Sequence, residues 1–327
     1  CAPSWTAAKD ARAGDFLLVP KLAARWNTSR ISMSKYGGNS NRSPFKHGFP
    51  INEDTAWLLG LYTAEGSPFP HAALSLGFNE HEIKIAGRAS AVVRGLDMAG
   101  ATYKQQGKYL KVNIGGPVVG RAFADWCGRG SHNKRVPFFI LQHKDTKIVW
   151  AYLEGLVDGD GSRPKGRDRI VLATSSRALV SQVRLLLARL GVGFGGRPEI
   201  QRPRTIVGKH IFSANPLYWI YWSWQPKETT RILNGKIVRS VSTSWRKCDE
   251  GILIPIKRVS RRPFDGDVYN LSCSNEHTFI AEGVKVHNCS INEGLEEEKI
   301  KLPGDYATPA KYGLKPNDLW ENYYAEL

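Results

Sequence analysis

Apolar positions along this chain follow two periods, and the switch from one to the other happens twice. From Leu58 to Ser67 (Leu58-Leu59-Gly60-Leu61-Tyr62-Thr63-Ala64-Glu65-Gly66-Ser67) the apolar residues have helical spacing. Later segments such as Tyr109-Leu110-Lys111-Val112-Asn113-Ile114 alternate apolar with polar, as half-buried strands do. At an offset of 95 residues the first stretch returns as Leu153-Glu154-Gly155-Leu156-Val157-Asp158-Gly159-Asp160-Gly161-Ser162. The amphipathic stretch Glu82–Leu96 falls at the same offset on Arg177–Gly191, pairing Ile85 with Val180, Val92 with Leu187 and Arg94 with Arg189. Two copies of one αβ unit account for this, each with a further helix expected after its strands.

The first helix of each copy carries small residues four apart, Gly60 with Ala64 and Gly155 with Gly159, one turn above each other on one face. Two such faces can pack backbone against backbone. Each helix ends in an acid followed by glycine, so close packing would bring Glu65 and Asp160 together at one end of the pair. Paired carboxylates suit Mg²⁺, a hard ion that prefers oxygen. Between Arg197 and Arg246, basic residues are interleaved with the alternating run Tyr218-Trp219-Ile220-Tyr221-Trp222-Ser223-Trp224. Alternation turns only one face of that run outward, so most of its aromatics are expected in the core.

Composition narrows the partner. The 327 residues hold 46 Lys+Arg against 30 Asp+Glu, a formal charge of +16 that suits a polyanion such as nucleic acid. The charge is unevenly spread. From Cys289 onward eight acids face four bases, a net of −4, which leaves +20 on the preceding residues and marks a boundary between unlike modules. The five cysteines, at 1, 127, 248, 273 and 289, are scattered and suggest neither a disulfide framework nor a zinc site. No apolar run reaches the length of a membrane span and no signal peptide opens the chain, so a cytoplasmic, unsecreted protein is expected.

The repeated helices resemble the LAGLIDADG homing endonucleases over roughly residues 51–245. That resemblance implies a pseudo-twofold αββαββα repeat acting as a monomer on double-stranded DNA. It also implies Glu65 and Asp160 as catalytic metal ligands for Mg²⁺, with hydrolysis of phosphodiester bonds in both strands. The family uses basic residues near the centre; Lys134, in Asn133-Lys134-Arg135-Val136-Pro137, is the candidate in the first copy, and Lys227 and Lys236 are weaker ones in the second. For each lysine, a plain phosphate-contacting or solvated charge is the competing role.

A second chemistry closes the sequence. The run from Asp267 to Cys289 alternates about a polar turn at Ser274-Asn275-Glu276, continues with His277-Thr278-Phe279, and ends in His287-Asn288-Cys289. An asparagine side-chain amide can attack its own backbone carbonyl and cut the chain after itself when neighbours assist proton transfer, and His287 and His277 are placed to do so. A thiol immediately after the cut, Cys289, can hold an upstream acyl group as a thioester. This stretch resembles the C-terminal blocks of inteins. Asn270 departs from the Asp that many inteins place there, which puts that one role in doubt. A metal site of His277, His287 and Cys289 is the alternative, although the spacing matches no familiar zinc pattern.

Residues Trp5–Pro20 look like the strand and turn after the second conserved block of an intein, but no Thr-x-x-His precedes them. Cys1 is therefore expected to be an internal residue of a truncated frame rather than a splice nucleophile. The expected fold class is α+β: the endonuclease repeat inserted in a mostly-β Hint splicing domain. Residues 1–50 and 246–288 would be the two pieces of that domain, and residues 289–327 the start of the host protein, the extein. The competing function is a catalytically degenerate, maturase-like DNA- or RNA-binding protein of the same fold.

Overall fold

A computed structural model describes residues 3–37, 45–68, 74–98, 102–106, 109–114, 116–164, 169–200, 204–206, 209–211, 216–223, 228–233, 236–241, 245–260 and 278–287. Six α-helices organise the described residues: α1 (Glu53–Glu65), α2 (Ile83–Gly95), α3 (Pro117–Cys127), the short α4 (Phe138–Leu141), α5 (Thr146–Asp160) and α6 (Arg177–Arg189). The fold is mixed α/β.

The 95-residue repeat is visible as topology. In the first copy α1 leads into an antiparallel sheet whose strands lie in the order Gly66–Pro68, Leu74–Asn79, Tyr109–Ile114, Thr102–Gln106. In the second, α5 leads into strands ordered Gly161–Ser162, Ile170–Thr174, Pro216–Trp222, Phe194–Ile200. Positions are matched one for one, and α2 and α6 occupy equivalent places. Each sheet buries one face: Leu74, Leu76, Phe78, Leu110, Val112 and Ile114 in the first, Ile170, Leu172, Phe194, Ile220 and Trp222 in the second. Register places Ser67, Ser75, Gly77, Lys111 and Asn113 on the opposite face of the first sheet, and Ser162, Val171, Ala173, Trp219 and Tyr221 on that of the second.

The copies differ at their ends. A hairpin, Arg204–Ile206 with Lys209–Ile211, stands between two strands of the second sheet where the first copy has two residues, Gly107 and Lys108. The helix expected to close the second copy is not found among the described residues. After Pro216–Trp222 comes a second hairpin, Glu228–Leu233 with Lys236–Val241, whose strands are rich in β-branched residues.

α1 and α5 form the centre. Thr55–Thr63 of α1 is buried without a break, as expected of a helix apolar all round. Asn52 starts it with a reciprocal capping box to Thr55, both bonds at 2.9 Å, and Glu53 and Asp54 complement the dipole of its first turn. Asp145 caps α5 through the Lys147 amide at 2.8 Å. The helices approach until a β-carbon on Gly60 would lie 2.0 Å from the Tyr152 carbonyl oxygen, and one on Gly155 would lie 1.9 Å from that of Trp57. Glycine at both positions is therefore a condition of the contact. Across it, the Trp57 indole donates to Asp158 at 2.8 Å, and the Tyr152 hydroxyl donates to Thr63 at 3.0 Å.

The flanking segments pair with each other. Phe16–Pro20 runs antiparallel to Gly251–Pro255, which also pairs with Arg246–Cys248. Val19 and Ile252 join the common core, and Met33, Tyr36, Phe45 and Phe49 pack into it beside the rings of Phe123 and Trp126. A further hairpin, Thr278–Ala281 with Val284–His287, turns at Glu282-Gly283, both at positive φ (53° and 81°), the left-handed backbone that a two-residue turn requires. The turn expected at Ser274-Asn275-Glu276 lies outside the described residues.

Gly60→Ala should destabilise the protein by about 3 kcal/mol, because the methyl meets rigid backbone and the helices must part. Gly87→Ala, in α2 where nothing lies within 4 Å of the added carbon, should stabilise by about 0.5–1 kcal/mol. Denaturant midpoints of the two variants against wild type check both signs.

Candidate catalytic centre

Glu65 and Asp160 are the last residues of α1 and α5, and the glycine after each lets the chain leave in extended conformation and hug the helix it has just left. Their helices converge here: a β-carbon on Gly159 would lie 3.2 Å from Glu65 Cγ and 2.4 Å from Ala64 Cβ. Burial is the main cost of ionising both carboxylates, and at Glu65 the charge of Asp160 adds to it. Glu65 is pushed up to about 7, first by burial, then by the charges of Asp160 and Glu82, with Lys134 opposing. Asp160 keeps a solvent-exposed surface, yet the protein crowded around it also raises its pKa, again against Lys134.

Lys134 is brought to the same place. Its side chain is buried, so it is not a solvated charge. The ammonium donates to the carbonyl oxygens of Tyr62 at 2.8 Å and Gly66 at 2.7 Å and lies 4.6 Å from the centre of the Tyr62 ring. These are the carbonyls that bracket Glu65, so the lysine caps the C-terminal turn of α1, where a cation complements the helix dipole. Burial lowers its pKa; Cys127, Asp160 and Glu65 hold it up.

Among the described residues neither Glu65 nor Asp160 has an ion-pair partner, and no group of three or more His, Cys, Asp or Glu is assembled. Two close carboxylates that resist ionisation, with no cation bonded to them, fit a divalent ion that takes its remaining ligands from water or phosphate.

Of the other candidates, those among the described residues are not shown beside these three. Lys227 lies outside the described residues, and Lys236 begins a strand opposite Leu233. His277, Asn288 and Cys289 lie outside the described residues as well. His287 closes the final hairpin opposite Thr278, exposed, with its ring edge-on to Trp5 at 5.2 Å. In the aromatic strand, Ile220 and Trp222 are buried, while Trp219 and Tyr221 line a shallow depression with Arg169, Val171, Gly196 and Lys257. The Arg169 guanidinium lies 3.6 Å from the Tyr221 ring centre, a pairing that sequence reading missed because Arg169 is 52 residues away.

With this geometry in place, comparison with known proteins finds one family model over part of the chain. Residues 147–207, which include α6 and almost all of α5, match the family model of a LAGLIDADG-like domain. The chain is 27% identical over 306 residues to an iron–sulfur cluster assembly SufBD family protein of Mycobacterium tuberculosis, covering 88% of this chain and 31% of that protein. It is 24% identical over 254 residues to an ATP-dependent DNA helicase of Thermococcus kodakarensis, covering 73% and 22%. With a DNA polymerase of Thermococcus hydrothermalis it shares 26% over 261 residues, covering 71% and 15%. It thus spans about a third or less of the length of these relatives. Among solved structures it is similar to mesophilic variants of the homing endonuclease I-DmoI, at 16% identity and a TM-score of 0.38, covering 53% of this chain and 90% of that one.

The raised pKa of Glu65 predicts a pH signature in metal-free buffer. The unfolded chain releases this proton near 4.5 and the folded protein near 7, so the native state holds it longer and loses stability as pH rises between those values. Above pH 7 the penalty is constant. Glu65→Gln should therefore be more stable than wild type at pH 8 in EDTA by about 1–2 kcal/mol, allowing for the residual solvent contact of the group, and indistinguishable from it at pH 4. Melting curves at the two pH values check this.

Proposed function

We propose that the chain is a site-specific homing endonuclease that makes metal-dependent double-strand breaks in DNA, carried in one polypeptide with a protein-splicing domain. The endonuclease part rests on one observation above all: two glycine-packed helices of a repeated unit end in carboxylates with no bonded cation among the described residues. Glu65 and Asp160 would hold Mg²⁺, with the buried Lys134 supplying a positive charge beside them. When bound, the ions would neutralise phosphoryl charge and stabilise the attacking and leaving oxygens. The two sheet faces turned away from the helices lie along the DNA, and the charge of +16 supplies phosphate attraction.

The splicing part is supported by sequence and by the pattern of relatives. Proteins named for iron–sulfur assembly, DNA unwinding and DNA synthesis share no task, and this chain corresponds to a minor share of each. A segment common to such hosts behaves as an insertion they carry rather than as part of their own machinery. At the junction, the Asn288 side-chain nitrogen attacks its own carbonyl carbon, the bond to Cys289 breaks, and the amide proton passes to the leaving amine with help from His277 and His287. The residues after Asn288 belong to the extein.

Two experiments test these halves separately. A duplex selected from a random-sequence pool by the wild-type protein should be cut in both strands with Mg²⁺. Asp160→Asn and Glu65→Gln should cut at least about 100-fold more slowly while binding within a few-fold of wild type. Wild-type binding without cutting would favour the maturase-like reading. Cleavage between Asn288 and Cys289, followed by mass spectrometry over days, should stop in Asn288→Ala and persist in Cys289→Ala; persistence in both would rule out asparagine cyclisation.

A further inference from the structure

Lys134 belongs to the first copy, but its backbone is held by the second. The Ser176 hydroxyl, fully buried, donates to the Lys134 carbonyl oxygen at 2.5 Å while accepting the Leu179 amide at 3.1 Å as the N-cap of α6. Two residues on, the Val136 amide donates to Gln182 Oε1 at 2.8 Å, and Gln182 is itself buried. The first copy contributes the Cys127 carbonyl, which accepts the Arg135 amide at 2.9 Å, and Gly128, where an added β-carbon would lie 1.7 Å from the Asn133 carbonyl oxygen. Segment 133–136 is thus pressed on one side by the end of α3 and clamped on the other by α6.

An ammonium kept from water between two carbonyls stays there only if its backbone is fixed, because a lysine stem is flexible and hydration of the charge competes strongly. Ser176 and Gln182 supply that fixation through hydrogen bonds sheltered from solvent, which are costly to leave unmade. We propose that Ser176 and Gln182 are positioning residues for Lys134, so that cutting at the Glu65 side of the centre depends on a helix of the opposite copy. This rests on the endonuclease reading above. Among the described residues neither side chain is bonded to the carboxylates, and their action runs through the lysine backbone. Among the described residues the Lys134 ammonium donates only to the turn that carries Glu65, although its charge also reaches Asp160, so loosening it should disturb the placement of Glu65 directly and affect one strand of the duplex more than the other.

The test uses the full chain with Ser176→Ala, Ser176→Thr and Gln182→Ala on a supercoiled plasmid carrying the selected site. Ser176→Ala and Gln182→Ala should lower the cutting rate at saturation by about 10-fold or more with KM within about twofold, and nicked circles should accumulate. Ser176→Thr, which keeps the hydroxyl, should restore the rate to within about threefold of wild type. Equal slowing of both strands, or no rescue by threonine, would reduce the two residues to a purely structural role and overturn the proposal. Amide exchange across 134–136 gives a reading that needs no activity: at least about tenfold faster in Ser176→Ala and Gln182→Ala than in wild type. Unchanged exchange overturns the anchoring even if cutting falls. Failure of wild type to cut any selected duplex would defeat the endonuclease reading, while the exchange measurement would still decide the clamp.

Discussion

The approach of α1 to α5 at the closeness of backbone on backbone is the constraint from which the rest follows. At Gly60 and Gly155 any side chain would occupy the space of a carbonyl oxygen on the facing helix, so separation is set by the peptide groups themselves. Side-chain packing can give by repacking; backbone against backbone cannot. The contact therefore fixes how far apart Glu65 and Asp160 stand, and through the strands that leave Gly66 and Gly161 it fixes how the two sheets are set out on either side of the helix pair.

Carboxylates crowded by protein at one end of the helix pair carry a cost of ionisation, mainly from burial, visible in the raised pKa of both. Lys134 offsets part of it without forming an ion pair. Two of its three donors are met by the Tyr62 and Gly66 carbonyls rather than by the acids, which leaves the acid oxygens open to another ligand. A direct salt bridge would have consumed the carboxylates; a capping lysine lends charge at short range while leaving them available.

The centre of this architecture was legible because it depends on residue types that leave a mark in sequence. Small residues four apart, an acid followed by glycine, and a repeat at a constant offset of 95 all report backbone geometry directly. What was missed depends on longer range. The helix expected after the second sheet is a hairpin, and Asn234-Gly235 between Thr229-Thr230-Arg231-Ile232-Leu233 and Lys236-Ile237-Val238 was a local signal for it, outweighed by the expectation that the copies match to their ends. The burial of Lys134 could not be read from Asn133-Lys134-Arg135, which looks like a surface triplet; it is decided by carbonyls about 70 residues away. Ser176 was recognisable as a helix start before an amphipathic run, but its second bond, to Lys134, is not local.

The same two-copy plan bears on why the halves have diverged where they have. On the faces turned away from the helices, the first sheet carries Ser67, Ser75, Lys111 and Asn113, with the Ser75 hydroxyl and Asn113 amide oxygen 3.1 Å apart, while the second carries Val171, Trp219 and Tyr221 with Arg169 stacked on the last. A symmetric dimer of either unit would present one chemistry twice and suit a palindromic partner. Fusion in one chain releases the faces from that symmetry while the glycine contact keeps the carboxylates paired. On the proposed function, each sheet then reads its own half of an asymmetric site: small polar groups and a lysine on one side, an aromatic and guanidinium surface on the other. The geometry shared by the two copies lies at the helix pair and the differing chemistry on the sheets, which on the proposed function separates what cuts from what chooses where to cut.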